Sequence, residues 1–294
     1  MNGRASSPQR GVLNPHAAAP APVRTLGIVN ITEDSFSDGG KFLASEDAIA
    51  HAVRLAATGA DIIDLGGAPS HPNAKPVAPE LEVARLAPVV TALRARGIPT
   101  SVDSFSPQVQ RWALSEGVEY LNDIQGFPFP DMYPLLAGSP ARLIVMHSVQ
   151  GLGPATRVAI DPQTIFARVV RFFEQRLAAL AASGIARERL ILDPGMGLFL
   201  GTRREASFEI LRRLGELKTR FGLPVLVSVS RKSFLRSFIG RAASEAGAAS
   251  LAAELYACFG GADFIRTHEP AAIKDALALW YAIEGSASTV RVTA

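Results

Sequence analysis

Eight short apolar runs, each followed by a stretch with helical spacing, constrain this chain more than any other feature. The runs are Thr25–Val29, Asp61–Leu65, Pro99–Val102, Tyr120–Leu121, Arg142–Met146, Leu190–Leu192, Val225–Val229 and Asp263–Ile265. Unbroken apolar runs of this kind suit strands buried on both faces, as in a parallel sheet. Between them, helical patterns cover Asp47–Thr58, Pro79–Arg96, Pro107–Glu116, Thr164–Ala182, Ser207–Arg220, Ala248–Phe259 and Ala271–Ile283, with a weaker one at Asp131–Ala137. Pro79 and Pro107 stand where a first helical turn accepts proline. Gly59, Gly97, Gly117, Gly184 and Gly222 stand where a helix should stop. Repeated strand–helix units over roughly 260 residues, with no dividing linker, predict a single-domain α/β protein, a (β/α)8 TIM barrel. An open doubly wound sheet gives a similar string, and periodicity alone separates the two poorly.

The chain has 294 residues, 48% of them hydrophobic, and no apolar run approaches the ~18–20 residues of a membrane span. The net charge is only +3, and no Lys/Arg cluster is interleaved with aromatic residues. Neither a membrane nor a nucleic acid is therefore expected as a partner. Cys258 is the sole cysteine, which excludes an intrachain disulfide and a cysteine zinc site and fits a reducing cytoplasm. Residues 1–24 are rich in Ala, Pro and Ser, with Arg4 and Arg10 but no signal-peptide core; they are expected to be a disordered tail. Residues 25–285 are expected to form the barrel, and 286–294 a second tail.

Polar residues close every apolar run. The first leads into Asn30 and the stretch to Gly40, and the second ends in Asp64-Leu-Gly-Gly67 before Ala68-Pro-Ser-His-Pro-Asn73. The third ends in Asp103-Ser104, the fourth in Asn122-Asp123, the fifth in Met146-His147 and the sixth in Asp193-Pro-Gly195. The seventh brings Ser230-Arg-Lys-Ser233 and the eighth Arg266-Thr-His268. In a barrel these ends meet at one mouth, the face where such folds do their chemistry. Cations among them are placed to hold a phosphate or carboxylate. Singly, each Asp or Asn also fits a turn or helix cap, and His147 a structural histidine. Eight polar ends in succession are harder to explain as caps.

At these motifs the chain resembles the dihydropteroate synthases, from about Thr25 to Glu284. The signatures are Gly27-Ile-Val-Asn-Ile-Thr-Glu-Asp-Ser-Phe-Ser-Asp-Gly-Gly40, Leu192-Asp-Pro-Gly-Met-Gly197, Ser230-Arg-Lys-Ser233 and Arg266-Thr-His268. The resemblance implies a (β/α)8 barrel that condenses 6-hydroxymethyl-7,8-dihydropterin pyrophosphate with p-aminobenzoate, giving dihydropteroate and pyrophosphate. It also implies Mg²⁺, with Asn30 as a ligand, small-molecule substrates and a homodimer formed through the last helices. By resemblance, Asp103, Asn122, Asp193 and Lys232 read the hydrogen-bonding edge of the pterin, with Ile124 and Met146 against its ring. Asn30, Arg266 and His268 match the pyrophosphate site. Ser70, Phe199 and Ser233 match the p-aminobenzoate end, although Ser233 also fits a helix cap and Phe199 ordinary packing. Asp103, Lys232 and Arg266 are the residues expected to carry the chemistry, and Arg231 is expected to be structural.

The chemistry suits these residue types. Carboxylates accept from the pterin's amino and ring N–H groups, and an amide or ammonium donates to its carbonyl. Departing pyrophosphate needs cations, and the electron-poor pterin left behind needs a carboxylate such as Asp103.

The chain departs from the common family pattern in places. It reads Gly66-Gly-Ala-Pro-Ser-His-Pro-Asn73 where chromosomal members usually read Gly-Gly-Glu-Ser-Thr-Arg-Pro-Gly, Glu33 where proline is usual, and Met196-Gly-Leu-Phe-Leu-Gly201 after Asp193-Pro-Gly195. These departures resemble the sulfonamide-resistant, Sul-type synthases. Sulfonamides mimic p-aminobenzoate, so an altered rim and a bulky Phe199 are expected to exclude the drug's extra group. Two other readings are open: a pterin-dependent methyltransferase serving a corrinoid, which has no need of the Ser230–Ser233 and Arg266–His268 motifs, and a pterin-binding protein without catalysis.

Overall fold

A computed structural model describes residues 22–31 and 41–284. The loop Glu33–Gly40 and most of both expected tails lie outside the described residues. Eight parallel strands form one sheet: β1 (Arg24–Asn30), β2 (Ile62–Gly66), β3 (Thr100–Asp103), β4 (Tyr120–Asp123), β5 (Arg142–Met146), β6 (Leu190–Asp193), β7 (Leu226–Val227) and β8 (Phe264–Thr267). Their order is β6-β5-β4-β3-β2-β1-β8-β7. The ends of that order meet in a parallel bridge between Leu192 and Val225, with Leu192 N donating to Pro224 O at 2.9 Å. The sheet is a closed barrel, and the open-sheet reading falls.

The helices are α1 (Lys41–Ala57), α2 (Pro79–Arg94), α3 (Pro107–Ser115), α4 (Tyr133–Gly138), α5 (Pro162–Ala182), α6 (Arg204–Arg212), α7 (Leu214–Phe221), α8 (Ser233–Ile239), α9 (Gly247–Phe259) and α10 (Pro270–Ile283). Proline opens α2, α3, α5 and α10, where its missing N–H costs nothing. The segment expected to be one helix over Ser207–Arg220 is two, because the chain leaves helical geometry at Arg213. The short α8 follows the Ser230–Ser233 motif directly and has no clear periodicity of its own. Among the described residues no helix is long and apolar enough to cross a membrane.

Two apolar layers hold the barrel. The larger lies between the strands and the surrounding helices. The smaller fills the interior with Leu26, Ile62, Tyr120, Ile144, Ile191, Leu226 and Phe264, one from each strand except β3. Below it, the Arg24 and Arg142 guanidiniums lie against the Tyr120 and Phe264 rings. Side chains two positions apart on a strand share a face. Stepping two residues up from the interior layer therefore gives Ile28, Asp64, Asn122, Met146, Asp193, Ser228 and Arg266, all aimed into the barrel above the plug.

Candidate active site

Asp103, Asn122, Ile124, Met146, Asp193, Lys232 and Arg266 line one pocket at the carboxyl ends of the strands, together with Ser70, Met196, Phe199 and Ser228. The space, counted out into the mouth, is about 330 Å³, near the lower end of small-ligand pockets. All but three of the residues named for the site from the sequence are thus brought together. The other three, Asn30, His268 and Ser233, do not line the pocket, and neither does Arg231, expected to be structural. Asn30 is exposed at the end of β1, His268 is half-buried against Ser230, and Ser233 is the first residue of α8, with Lys232 and not Ser233 in the capping position.

Strand parity explains which polar residue of each pair is in the site. Asn122 is buried and faces inward, and its Oδ1 has no protein partner, so it is available to a ligand. Its neighbour Asp123 faces the other way. Asp123 accepts from Gln125 N at 2.8 Å, Phe127 N at 3.0 Å and Gln110 Nε2 at 3.0 Å, and so pins the turn in which Phe127 takes a φ of 61°. Burial pushes Asp123 up to about 6. Met146 faces the pocket, whereas His147 packs edge-on against Phe172 and its Nδ1 meets Pro194 O at 3.1 Å. Burial pulls His147 down to about 4, and its role is structural.

The charged floor is an ion network. Arg266 donates from Nε to Asp64 at 2.5 Å and from Nη2 to Asp103 at 2.8 Å. Asp64 is fully buried beneath it, and its second oxygen has no partner. In the sequence Asp64 is legible only as a strand end, because its partner lies far along the chain on β8. Burial alone would lower Arg266, but Asp64 and Asp103 outweigh it and hold the guanidinium above its usual range. Burial drives Asp103 upward against the pull of Arg266, with Asp64 adding to the rise. Asp193 accepts from Gly195 N at 2.8 Å, and burial pushes it up to about 6. Lys232 is drawn down to about 8 by burial and by Arg266, against the attraction of Asp193 and Asp103. Displaced carboxylates and a displaced ammonium in one pocket mark a site built to bind and react.

The turn after β6 supplies the apolar wall. Gly195 has a φ of 76°, and a Cβ there would stand 2.4 Å from the His147 carbonyl oxygen, so only glycine lets the chain turn this tightly. Phe199 then falls on a short 3-10 turn, Gly197–Leu200, and packs with Ile124, Met146 and Ala155. Its ring centroid lies 5.2 Å from Lys232 Nζ. In the second loop, Ser70 reaches the pocket and its carbonyl accepts from Ala155 N at 2.9 Å, while His71 is exposed.

A family described as pterin binding enzymes matches residues 26–268. The dihydropteroate synthase type-2 of Escherichia coli is 57% identical over 262 residues, which cover 89% of this chain and 96% of that protein. The chain belongs to the dihydropteroate synthase family. The type-1 synthase of Escherichia coli is 49% identical over 256 residues, covering 87% of this chain and 92% of that protein. The fold superposes on the Xanthomonas albilineans synthase with 4-aminobenzoic acid at a TM-score of 0.82 and 37% identity, with 89% of this chain and 93% of that one covered. The same synthase with 7,8-dihydropteroate gives 0.78 at 36% identity, with 89% and 94% covered. The enzyme is a transferase that joins 6-hydroxymethyl-7,8-dihydropterin pyrophosphate to p-aminobenzoate, forming dihydropteroate and pyrophosphate in folate biosynthesis. The methyltransferase and non-catalytic readings fall with that assignment.

Proposed function

We propose how the labour of this reaction is divided in the pocket, and that the enzyme discriminates against sulfonamides. The observation that supports the division is the convergence of Asp103, Asn122, Asp193, Lys232 and Arg266 on one pocket with Ile124, Met146 and Phe199 as its apolar wall. Asp193 and Asp103 accept from the pterin's N–H groups, Asn122 uses its unpaired Oδ1 in the same way, and Lys232 donates. Ile124 and Met146 pack on the ring. Three carboxylates (Asp64, Asp103, Asp193) face two cations (Arg266, Lys232), a formal excess of one negative charge when all are ionised. That excess favours a pterin that becomes cationic as its C–O bond to pyrophosphate breaks. The neutral amine of p-aminobenzoate then forms the C–N bond and releases a proton, needing no enzyme nucleophile.

Asn30 and His268 are placed with the leaving pyrophosphate. Arg266 contributes only what its two carboxylates leave free. Among the described residues no three His, Cys, Asp or Glu side chains gather to cage a metal. Asn30 instead offers one neutral, exposed oxygen, beside Gly66, where an added Cβ would come within 3.3 Å of it. That donor fits Mg²⁺ carried largely by phosphate and water, which when bound would neutralise the leaving group. Ser70, Ser233 and Phe199 form the p-aminobenzoate end. Phe199, on the apolar wall of the pocket, is proposed as the barrier to a bulkier mimic, and with it sulfonamide exclusion and a role in resistance.

The enzyme is further proposed to work in the cytoplasm as a homodimer. Its one cysteine, Cys258, is buried and free. On α10, Leu279 and Ile283 are 63% and 72% exposed, beside a Phe259–Trp280 ring pair that joins α9 to α10. Incubating the purified protein with both substrates, with and without Mg²⁺, and weighing the product tests the reaction scheme. Product formed equally well without Mg²⁺ would remove the metal from it. A sulfamethoxazole inhibition constant comparable to the KM for p-aminobenzoate would remove the discrimination.

A further inference from the structure

Behind the pyrophosphate end of the pocket lies a row of buried hydroxyls that the reaction scheme does not use. Ser230 Oγ lies 3.0 Å from His268 Nδ1 and accepts from His268 N at 3.3 Å. Thr267 Oγ1 lies 3.5 Å from the same Ser230 oxygen and itself accepts from Glu269 N at 3.1 Å. The Glu254 carboxyl of α9 lies beside the Thr267 hydroxyl. Ser230, Thr267 and Glu254 are all buried. One helical turn before Glu254, Ser250 Oγ accepts from Arg231 N at 2.9 Å and donates to Ala246 O at 2.7 Å. Ser250 thereby pins Arg231, whose φ of 56° carries the chain round its turn, and Arg231 points away to Glu269 at 2.7 Å. Ser230 is held from both sides.

The protons can be counted. A serine oxygen has two lone pairs and one proton. With Glu254 protonated and donating to Thr267, Ser230 Oγ receives the His268 N–H and the Thr267 hydroxyl, and its own proton goes to the acceptor that remains, His268 Nδ1. The reverse arrangement, with Nδ1–H donating to Ser230, requires the whole row to run the other way, with Ser230 donating to Thr267 and Thr267 to an ionised Glu254. We infer that Ser230 is a positioning residue, which holds the neutral imidazole of His268 as its Nε2–H tautomer, backed by Thr267 and Glu254. Nε2–H is then the only ring donor His268 can offer an anion. Two further observations agree with the row. Burial, with the cations Arg231, Arg266 and Lys232, pulls His268 down to about 3, so a tautomer must be chosen. Burial pushes Glu254 up to about 7, and in its protonated form every hydroxyl in the row points toward His268. The consequence for catalysis rests on placing His268 with the pyrophosphate.

Histidine labelled with ¹⁵N in the whole protein reports the tautomer through long-range ¹⁵N–¹H correlation, with the His268 signal assigned by its loss in His268→Gln. Wild-type protein should show His268 protonated at Nε2, Ser230→Ala should show a tautomer mixture, and Ser230→Thr should restore the wild-type state. In steady state, Ser230→Ala should raise KM for the pterin pyrophosphate roughly tenfold, the effect of misdirecting one hydrogen bond to an anion, and leave KM for p-aminobenzoate nearly unchanged. Protonation of wild-type His268 at Nδ1, or a Ser230→Ala tautomer identical to wild type, overturns the inference. A tautomer that depends on Ser230 while KM for the pterin pyrophosphate stays put upholds the positioning and overturns the pyrophosphate role of His268.

Discussion

Replacing Asp193 by Asn should make this enzyme more stable while it disables it. Asp193 is 2% exposed, and burial raises its carboxyl from 3.8 to about 6 in spite of Lys232 and the Gly195 N–H. Its raised folded-state value means that the folded protein holds the proton more tightly than the unfolded chain. The associated stability is fully present below the unfolded value and is lost as pH rises through about 6. The loss amounts to about 3 kcal/mol at neutral and alkaline pH, taking about 1.4 kcal/mol for each tenfold change in proton affinity. Asn mimics the protonated carboxyl and can still accept from Gly195 N, so it escapes the loss. The expected gain is thus about 3 kcal/mol at pH 8, about half of that at pH 5, and nothing below roughly pH 4. In a domain of this size 3 kcal/mol corresponds to about 6–12 °C in Tm. Urea unfolding of both proteins without ligands at pH 5 and pH 8 measures it, and turnover should fall about 100-fold in the same variant. A variant less stable than wild type at pH 8, or a gain that does not shrink at pH 5, would refute the claim that burial of this charge is a net cost.

Three further outcomes are expected. Lys232 supplies its positive charge only as the ammonium and titrates at about 8, and Asp193 offers both oxygens as charged acceptors only when ionised and titrates at about 6. The pH profile of kcat/KM should therefore rise through about 6 and fall through about 8, and Lys232→Arg should move the falling limb beyond the measurable range. Arg266→Ala leaves Asp64 and Asp103 without their shared cation, so unfolding should show a loss of about 3–5 kcal/mol, partly recovered in Arg266→Ala with Asp64→Asn; no recovery would mean the two carboxylates do not depend on that arginine. Phe199→Gly should lower the sulfamethoxazole inhibition constant about a hundredfold and change KM for p-aminobenzoate much less, whereas a parallel rise in both would make Phe199 a partner of Lys232 rather than a barrier.

The repeated strand–helix units, the polar residue at each strand end and the family motifs are all local, and all were legible in the amino-acid order. Strands such as β5 and β6 are covered on both faces, so their apolar runs carry no alternation to say which side is the inside. Only closure of the barrel decides that Asn122 and Met146 face the pocket while Asp123 and His147 brace the turns. Closure also brings Asp64 on β2 to Arg266 on β8, a pairing across 202 positions that no spacing in the sequence encodes. The same holds for Phe199 beside Lys232 and for the row from Glu254 to His268. Each joins segments that are distant in sequence and meet only because adjacent parallel strands and their loops end on the same rim.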